Sequence, residues 1–306
     1  MSGMMARNST VTTIRQASAA DIGLLLLISL IWASAFVAIK VAVPAVGPLW
    51  LAAIRVAIGC LAVLPFALHA GIELPKTATV WLLVISMSLL NVVIPFFLIA
   101  WAELTIDAGV ASLLMGVGPI LALLSGHFFT LDDRINRWKL MAVLLGFCGV
   151  VILVGGDALS QLGGRHTLAQ FAALAGALCY VSAGTLIRKI PIGSVRLAFL
   201  ALVLGSAVLL PVALFFDSVP AMPGPQAASA LLYLGIVPTG IAYVMRFHLI
   251  NTVGYSTFSL SVNLIPVFGV LLGAIVLAER PSPQTGLALA LVIGGLFVAR
   301  LGGKKA

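Results

Sequence analysis

GPLWLAAIRVAIGCLAVLPFAL, residues 47–68, returns 146 residues later as GSVRLAFLALVLGSAVLLPVAL, residues 193–214. Eight of the 22 columns are identical: Gly47/Gly193, Leu51/Leu197, Ala52/Ala198, Gly59/Gly205, Leu64/Leu210, Pro65/Pro211, Ala67/Ala213 and Leu68/Leu214. Chance in a chain this rich in Ala and Leu gives roughly two or three, so the pair marks an internal duplication. Both stretches are apolar and long enough to cross a bilayer as a helix. Outward from them the register holds. Trp32-Ala33-Ser34-Ala35 meets Tyr180-Val181-Ser182-Ala183, Lys40 meets Arg188, Thr105 meets Thr252 and Pro119 meets Pro266. Asp133-Arg134 meets Glu279-Arg280, each pair followed by a last apolar run carrying Gly149 or Gly295.

Composition confines such a chain to lipid. Of 306 residues, 62% are hydrophobic and 8% charged, against about 25% charged in soluble domains. All nine carboxylates (Asp21, Glu73, Glu103, Asp107, Asp132, Asp133, Asp157, Asp217 and Glu279) lie between or at the ends of apolar runs. The net charge of +8 is spread over short connections rather than gathered on one face, which argues against a nucleic-acid partner. Cys60, Cys148 and Cys179 each lie inside an apolar run and read as small packing residues.

Ten spans of about 20 residues follow: 22–43, 48–68, 79–101, 106–129, 137–156, 167–187, 194–216, 226–246, 252–277 and 284–302. The fold class is an all-α integral membrane protein. Its organisation is a cytoplasmic tail 1–21, a first five-helix repeat 22–156, an external linker 157–166, a second repeat 167–302 and a tail 303–306. Ala33-Ser34-Ala35 mimics a signal-peptidase site, but the apolar run continues past it and recurs in the second repeat. With ten spans, thirteen Lys and Arg fall on the side of the termini and three (Lys40, Arg165, Arg280) on the other. Both termini are therefore expected in the cytoplasm. Five spans per repeat force the second copy to enter the membrane inverted, and inverted repeats place a solute site at their interface near the midplane.

Trp32-x-Ser34-x-Phe36-x-x-x-Lys40, Arg55 in the second span, the Pro119 and Pro266 spans and the Glu279-Arg280 turn before a glycine-bearing helix together resemble the drug/metabolite transporter superfamily. The similarity is to its EamA-domain branch, with two tandem EamA repeats over about residues 22–302, and within it to YddG-type exporters of aromatic amino acids. The resemblance implies ten helices, a bacterial inner-membrane location and export of amino acids, drugs or metabolites. Two departures stand out: the first repeat has Asp133 where the family has glutamate, and Ala201 stands where a partner for Arg55 is expected.

Trp32 and Tyr180 lie mid-span, where a polar ring edge needs a partner that lipid does not supply. Ser34, Asn91, Ser182 and Asn263 are the other mid-span polar groups, suited to a solute's amino or carboxyl group or to bonds between helices. These six are the candidate solute-binding residues. Pro119 and Pro266, in the middles of spans four and nine, are candidate kinks that free a backbone carbonyl. Arg55 lies inside span two, and Lys40 and Arg188 form a matched pair at opposite faces; all three are candidate gating charges, though each could instead snorkel. No cluster has metal spacing and no phosphate-cradling loop occurs, so no cofactor, metal or catalytic residue is expected. The expected partners are a small-molecule substrate and membrane lipid, as a monomer or homodimer. A secondary transporter of zwitterionic or neutral solutes by alternating access fits best. A permease for drugs or other metabolites is the alternative, and a channel or membrane enzyme fits less. The middle third of every span lacks a carboxylate, which predicts export without a proton relay.

Overall fold

The structure, a computed structural model, describes residues 17–118, 165–187, 189–262 and 264–303, with scattered positions between 121 and 152. The described residues are helical, without a strand. Their elements are α1 (Ala19–Val46), α2 (Pro48–Ala70), α3 (Ala78–Ser88), a π-turn (Leu89–Val93), α4 (Ile94–Ala102), α5 (Ala108–Met115), α6 (Arg165–Ile187), α7 (Ser194–Phe216), α8 (Pro225–Leu234), a second π-turn (Gly235–Ile241), α9 (Ala242–Val262), α10 (Ile265–Val276) and α11 (Pro283–Gly303). Among the described residues, six helical stretches are long and apolar enough to cross a membrane: Ala19–Val46, Pro48–Ala70, Ala78–Ala102, Arg165–Ile187, Ser194–Phe216 and Pro225–Leu249. Predicted span four is described to residue 118 and at 121, and span five only at scattered positions.

Local chemistry fixes the ends. α1 starts in a reciprocal cap, with Asp21 N–H donating to Ser18 Oγ at 3.3 Å and Ser18 N–H to Asp21 Oδ2 at 2.8 Å. Gly47, at φ 76°, turns the chain straight from α1 into α2, whose first residue is Pro48. That φ suits a residue without Cβ, and proline at a helix start gives up no bond. Pro266 does the same for α10. It was expected to kink span nine, but it stands in the first turn of a helix whose N-cap is Leu264. The turn expected between spans eight and nine is absent, since α9 runs unbroken from Ala242 to Val262.

α2 and α7, the duplicated stretches, pack against each other antiparallel. Arg196, in the first turn of α7, donates to Ala70 O at the end of α2 and meets Glu73 at 2.6 Å. At the other end, a Cβ on Gly47 would lie 3.5 Å from Asp217 Oδ2, just past α7. The first helix of each repeat packs on the other repeat's third and fourth: α1 on α8 and α10, α6 on α4 and α5. Glycines permit this closeness, because helices in lipid associate through backbone approach rather than through hydrophobic burial. The outer faces carry the large apolar side chains, Phe215 at 86% and Phe216 at 82% exposure among them, as a lipid-facing surface requires.

Candidate functional site

Both third helices carry their π-turn at the same register, 89–93 and 235–241, in the middle of the bundle. A π-turn inserts a residue, disturbs the backbone ladder and is frequent at functional sites. Each turn packs against a glycine of the duplicated pair. A Cβ on Gly59 would fall 2.7 Å from Thr239 Cγ2, and one on Gly205 would fall 2.8 Å from Val92 Cγ1. Val92 and Thr239 are themselves equivalents at a shift of 147.

Polar and aromatic groups gather between the turns. The Trp32 indole donates to Pro238 O at 3.3 Å. Asn91 Nδ2 donates to Tyr243 Oη at 3.3 Å, Tyr243 Oη donates to Asn91 O at 2.9 Å, and Asn91 Oδ1 accepts from Arg246 Nη1 at 3.0 Å. Phe96 and Tyr243, equivalents at the same shift, meet edge to face at 6.4 Å and 84°. The Arg55 guanidinium stacks on Phe96 at 4.0 Å from the centroid and donates to Thr239 Oγ1 at 3.2 and 3.1 Å. Arg246 lies 5.9 Å from the Trp32 ring and 5.8 Å from Phe247, and its Nε is buried with no hydrogen-bond partner. Tyr180 is within electrostatic reach of both guanidiniums.

Two arginines thus stand in the interior, Arg55 5% and Arg246 7% exposed, and neither is hydrogen-bonded to a carboxylate among the described residues. Arg55 does not snorkel to the lipid interface. Arg246, counted among the thirteen cations on the side of the termini, is instead buried against Asn91, Trp32 and Phe247. The register carried the missing signal: Arg246 pairs with Ile99, which lies inside span three. Tyr243 and Thr239 were missed too, each lying in an apolar run without a polar repeat partner.

Of the predicted residues, Trp32, Asn91, Tyr180 and Arg55 come together. Ser34 bonds elsewhere, its Oγ 2.5 Å from Tyr233 Oη and 2.8 Å from Ile31 O. Ser182 is turned back on its own helix, donating to Leu178 O at 2.9 Å. Asn263, Pro119 and Arg188 lie outside the described residues. Lys40 sits at the far end of α1, where Nζ donates to Glu103 O at 2.9 Å and Ile106 O at 2.6 Å. Those carbonyls face the break between α4 and α5. Across that break, Glu279 Oε1 and Oε2 accept from Ala108 N at 2.8 Å and Gly109 N at 3.1 Å, filling donors a helix start leaves open. Glu103 is in the same break, 1% exposed, with both carboxyl oxygens lacking a partner among the described residues. Burial pushes its carboxyl well above the ordinary carboxylate range. Lys40 pulls it back, Glu279 adds to the rise and Arg55 opposes it.

Two cavities lie toward opposite ends of α1, and neither is lined by a residue of the cluster. One of about 480 Å³ includes Leu24, Ser194, Met245 and His248 in its lining; the other, about 350 Å³, includes Asp107, His166, Gln170 and Glu279.

The model of the EamA-like transporter family matches this chain twice, over residues 20–155 and 167–301. The chain belongs to the EamA-like transporter family. It is 26% identical over 278 residues to the uncharacterized transporter YoaV of Bacillus subtilis, covering 89% of this chain and 93% of YoaV. It is 27% identical over 284 residues to a probable terminal-alkyne amino-acid exporter of Streptantibioticus cattleyicolor, covering 88% and 87% of the two chains. A crystal structure of 23% sequence identity superposes with a TM-score of 0.67 over 93% of this chain and 99% of its own, which shows a common fold. This EamA protein is accordingly a multi-pass membrane transporter of two EamA repeats, and its enclosed polar cluster between the π-turns is the candidate solute site.

Proposed function

We propose that this EamA protein exports small amino-acid-like zwitterions, aromatic and large apolar ones foremost, by alternating access in a bacterial inner membrane. Ten spans form two inverted five-helix repeats with both termini cytoplasmic. The antiparallel packing of α2 on α7 and the matched π-turns support the inversion.

One observation carries the solute class: Arg55 and Arg246 are buried between aromatic faces with no carboxylate hydrogen-bonded to either. A buried charge without a counter-ion costs several kcal/mol, and a solute carboxylate relieves that cost when it enters. Trp32, Phe96 and Tyr243 offer ring faces and edges to an apolar side chain, each such contact contributing about 0.5–1.5 kcal/mol. Backbone carbonyls released by the π-turns are acceptors for the amino group. The amino-acid exporter among the relatives points the same way.

The two guanidiniums also favour a second solute class, carboxylate anions without an amino group. Counterflow in proteoliposomes separates them. Labelled phenylalanine is expected to exchange and to be displaced by large apolar amino acids, and Trp32→Ala with Tyr180→Ala is expected to slow it. If only dicarboxylates compete, or the double variant exchanges phenylalanine at the wild-type rate, the zwitterion assignment is wrong.

A further inference from the structure

We propose that Glu103 is a proton-binding site linked to the solute site through Arg55, so that solute and proton cross together in the same direction. The inference rests on the transport reading above and adds its coupling ion.

The geometry is that of a carboxyl placed to hold a proton. Glu103 lies in the break between α4 and α5, fully enclosed, and neither oxygen meets a donor. Lys40 spends its ammonium on the backbone carbonyls of Glu103 and Ile106 rather than on the carboxylate. From the turn after α10 comes a second carboxylate, Glu279, committed to the start of α5. α6 brings Thr167 and Gln170 to the same end of the bundle, and their Oγ1 and Oε1 are also buried without partners. The charged groups acting on Glu103 are therefore Lys40 from α1, Arg55 from α2 and Glu279. An enclosed carboxylate with no donor is strongly disfavoured against the neutral acid, so a proton supplies what the site lacks.

Arg55 gives the link and its sign. Its charge opposes proton binding at Glu103, and the same guanidinium faces the solute cluster. A solute carboxylate on Arg55 cancels that opposition, so bound solute tightens the proton and, by reciprocity, the proton tightens the solute. Glu103 stands just past the end of a span, outside the middle third on which the expectation of export without a proton relay was based. Export then runs down the solute gradient and carries a proton outward.

The test uses vesicles of phosphatidylethanolamine and phosphatidylglycerol holding the full chain, a trapped pH dye and labelled phenylalanine. Phenylalanine efflux is expected to move protons in the same direction, one for each solute, and a one-unit pH gradient to sustain about a tenfold phenylalanine gradient. In Glu103→Gln the ratio of protons to phenylalanine falls to near zero. Proton movement opposite to the solute, none in wild type while phenylalanine exchanges, or an unchanged ratio in Glu103→Gln overturns the proposal. Failure of phenylalanine exchange itself speaks against the zwitterion assignment instead. Infrared spectra of the same protein then decide the proton site: a protonated-carboxyl band at neutral pH, lost in Glu103→Gln, supports it, and its absence overturns it.

Discussion

The two repeats share a scaffold and differ at the join of their third and fourth helices. In the first, α4 ends at Ala102 and α5 begins at Ala108. At the matching place in the second, α9 runs through without interruption. The sequences there are Glu103-Leu104-Thr105-Ile106-Asp107 and Ile250-Asn251-Thr252-Val253-Gly254. A broken helix exposes carbonyls on one side and N–H groups on the other. Here Lys40 takes the carbonyls and Glu279 the N–H groups, so two charged side chains from distant elements hold the break. By the repeat register the corresponding residues are Arg188 and Asp133. The proposed alternating access by inverted repeats requires the broken and the unbroken forms to exchange between repeats.

The candidate solute site shows the same division between shared frame and unequal chemistry. Arg55 faces Ala201 in the register and Arg246 faces Ile99, so each repeat contributes one guanidinium at a non-equivalent position. The largest effects are expected here. Arg55→Ala and Arg246→Ala should each weaken binding of a carboxylate-bearing solute by about 2–5 kcal/mol, at least thirtyfold in Kd. Titration calorimetry of the purified protein with phenylalanine measures it. If one variant binds normally, that repeat contributes only structure and the paired-guanidinium site falls.

Next in size come the glycines of the shared frame. Gly59 and Gly205 each leave no room for a Cβ against the π-turn of the opposite repeat. Gly59→Val and Gly205→Val should each lower stability by about 1–3 kcal/mol through overpacking, and by similar amounts. Thermal unfolding in nanodiscs would show it. A loss at one glycine alone would mean that the two crossings are not equivalent.

These contrasts show what the sequence makes legible. Apolar runs follow from the bilayer as solvent and carried the helical class, while the repeated motifs carried the family. Trp32, Asn91, Tyr180 and Arg55 were visible because a polar group inside an apolar run has to be answered by something. Arg246 was equally visible by that rule but was placed at a span end by a boundary drawn a few residues early. Glu103 and the π-turns were not legible. The burial of Glu103 depends on Lys40 and Glu279 arriving from far along the chain, and a π-turn has no residue signature distinct from the helix around it. Pro266 misled for a related reason: proline breaks a helix in its interior and begins one at its start, and the sequence alone did not show where α10 starts.

The cap on α5 gives a third, smaller effect. Glu279→Ala removes both acceptors from Ala108 and Gly109 and should cost about 1–2 kcal/mol, as loss of a charged N-terminal cap does. Amide exchange at Ala108 and Gly109 should accelerate accordingly, while exchange within α9 stays as it was. Unchanged protection at Ala108 would show that Glu279 does not hold the break.

The smallest effect separates two serines the sequence treats as equivalents. Ser34 reaches across to Tyr233 on α8 at 2.5 Å, whereas Ser182 donates to Leu178 O one turn back on α6. A bond between helices is lost together with its partner's satisfaction, so Ser34→Ala should destabilise by about 1 kcal/mol, near the mean for a net hydrogen bond. A hydroxyl bonded to its own helix competes with a backbone bond already made, and removing it changes little, so Ser182→Ala should stay within about 0.5 kcal/mol of wild type. Tyr233→Phe supplies the control. If the Ser34–Tyr233 contact is the cause, the double variant loses no more than either single one, because the shared bond is already gone. Additive losses, or equal losses at Ser34 and Ser182, would mean that the two repeats present these hydroxyls alike and that the difference seen between them has no energetic weight.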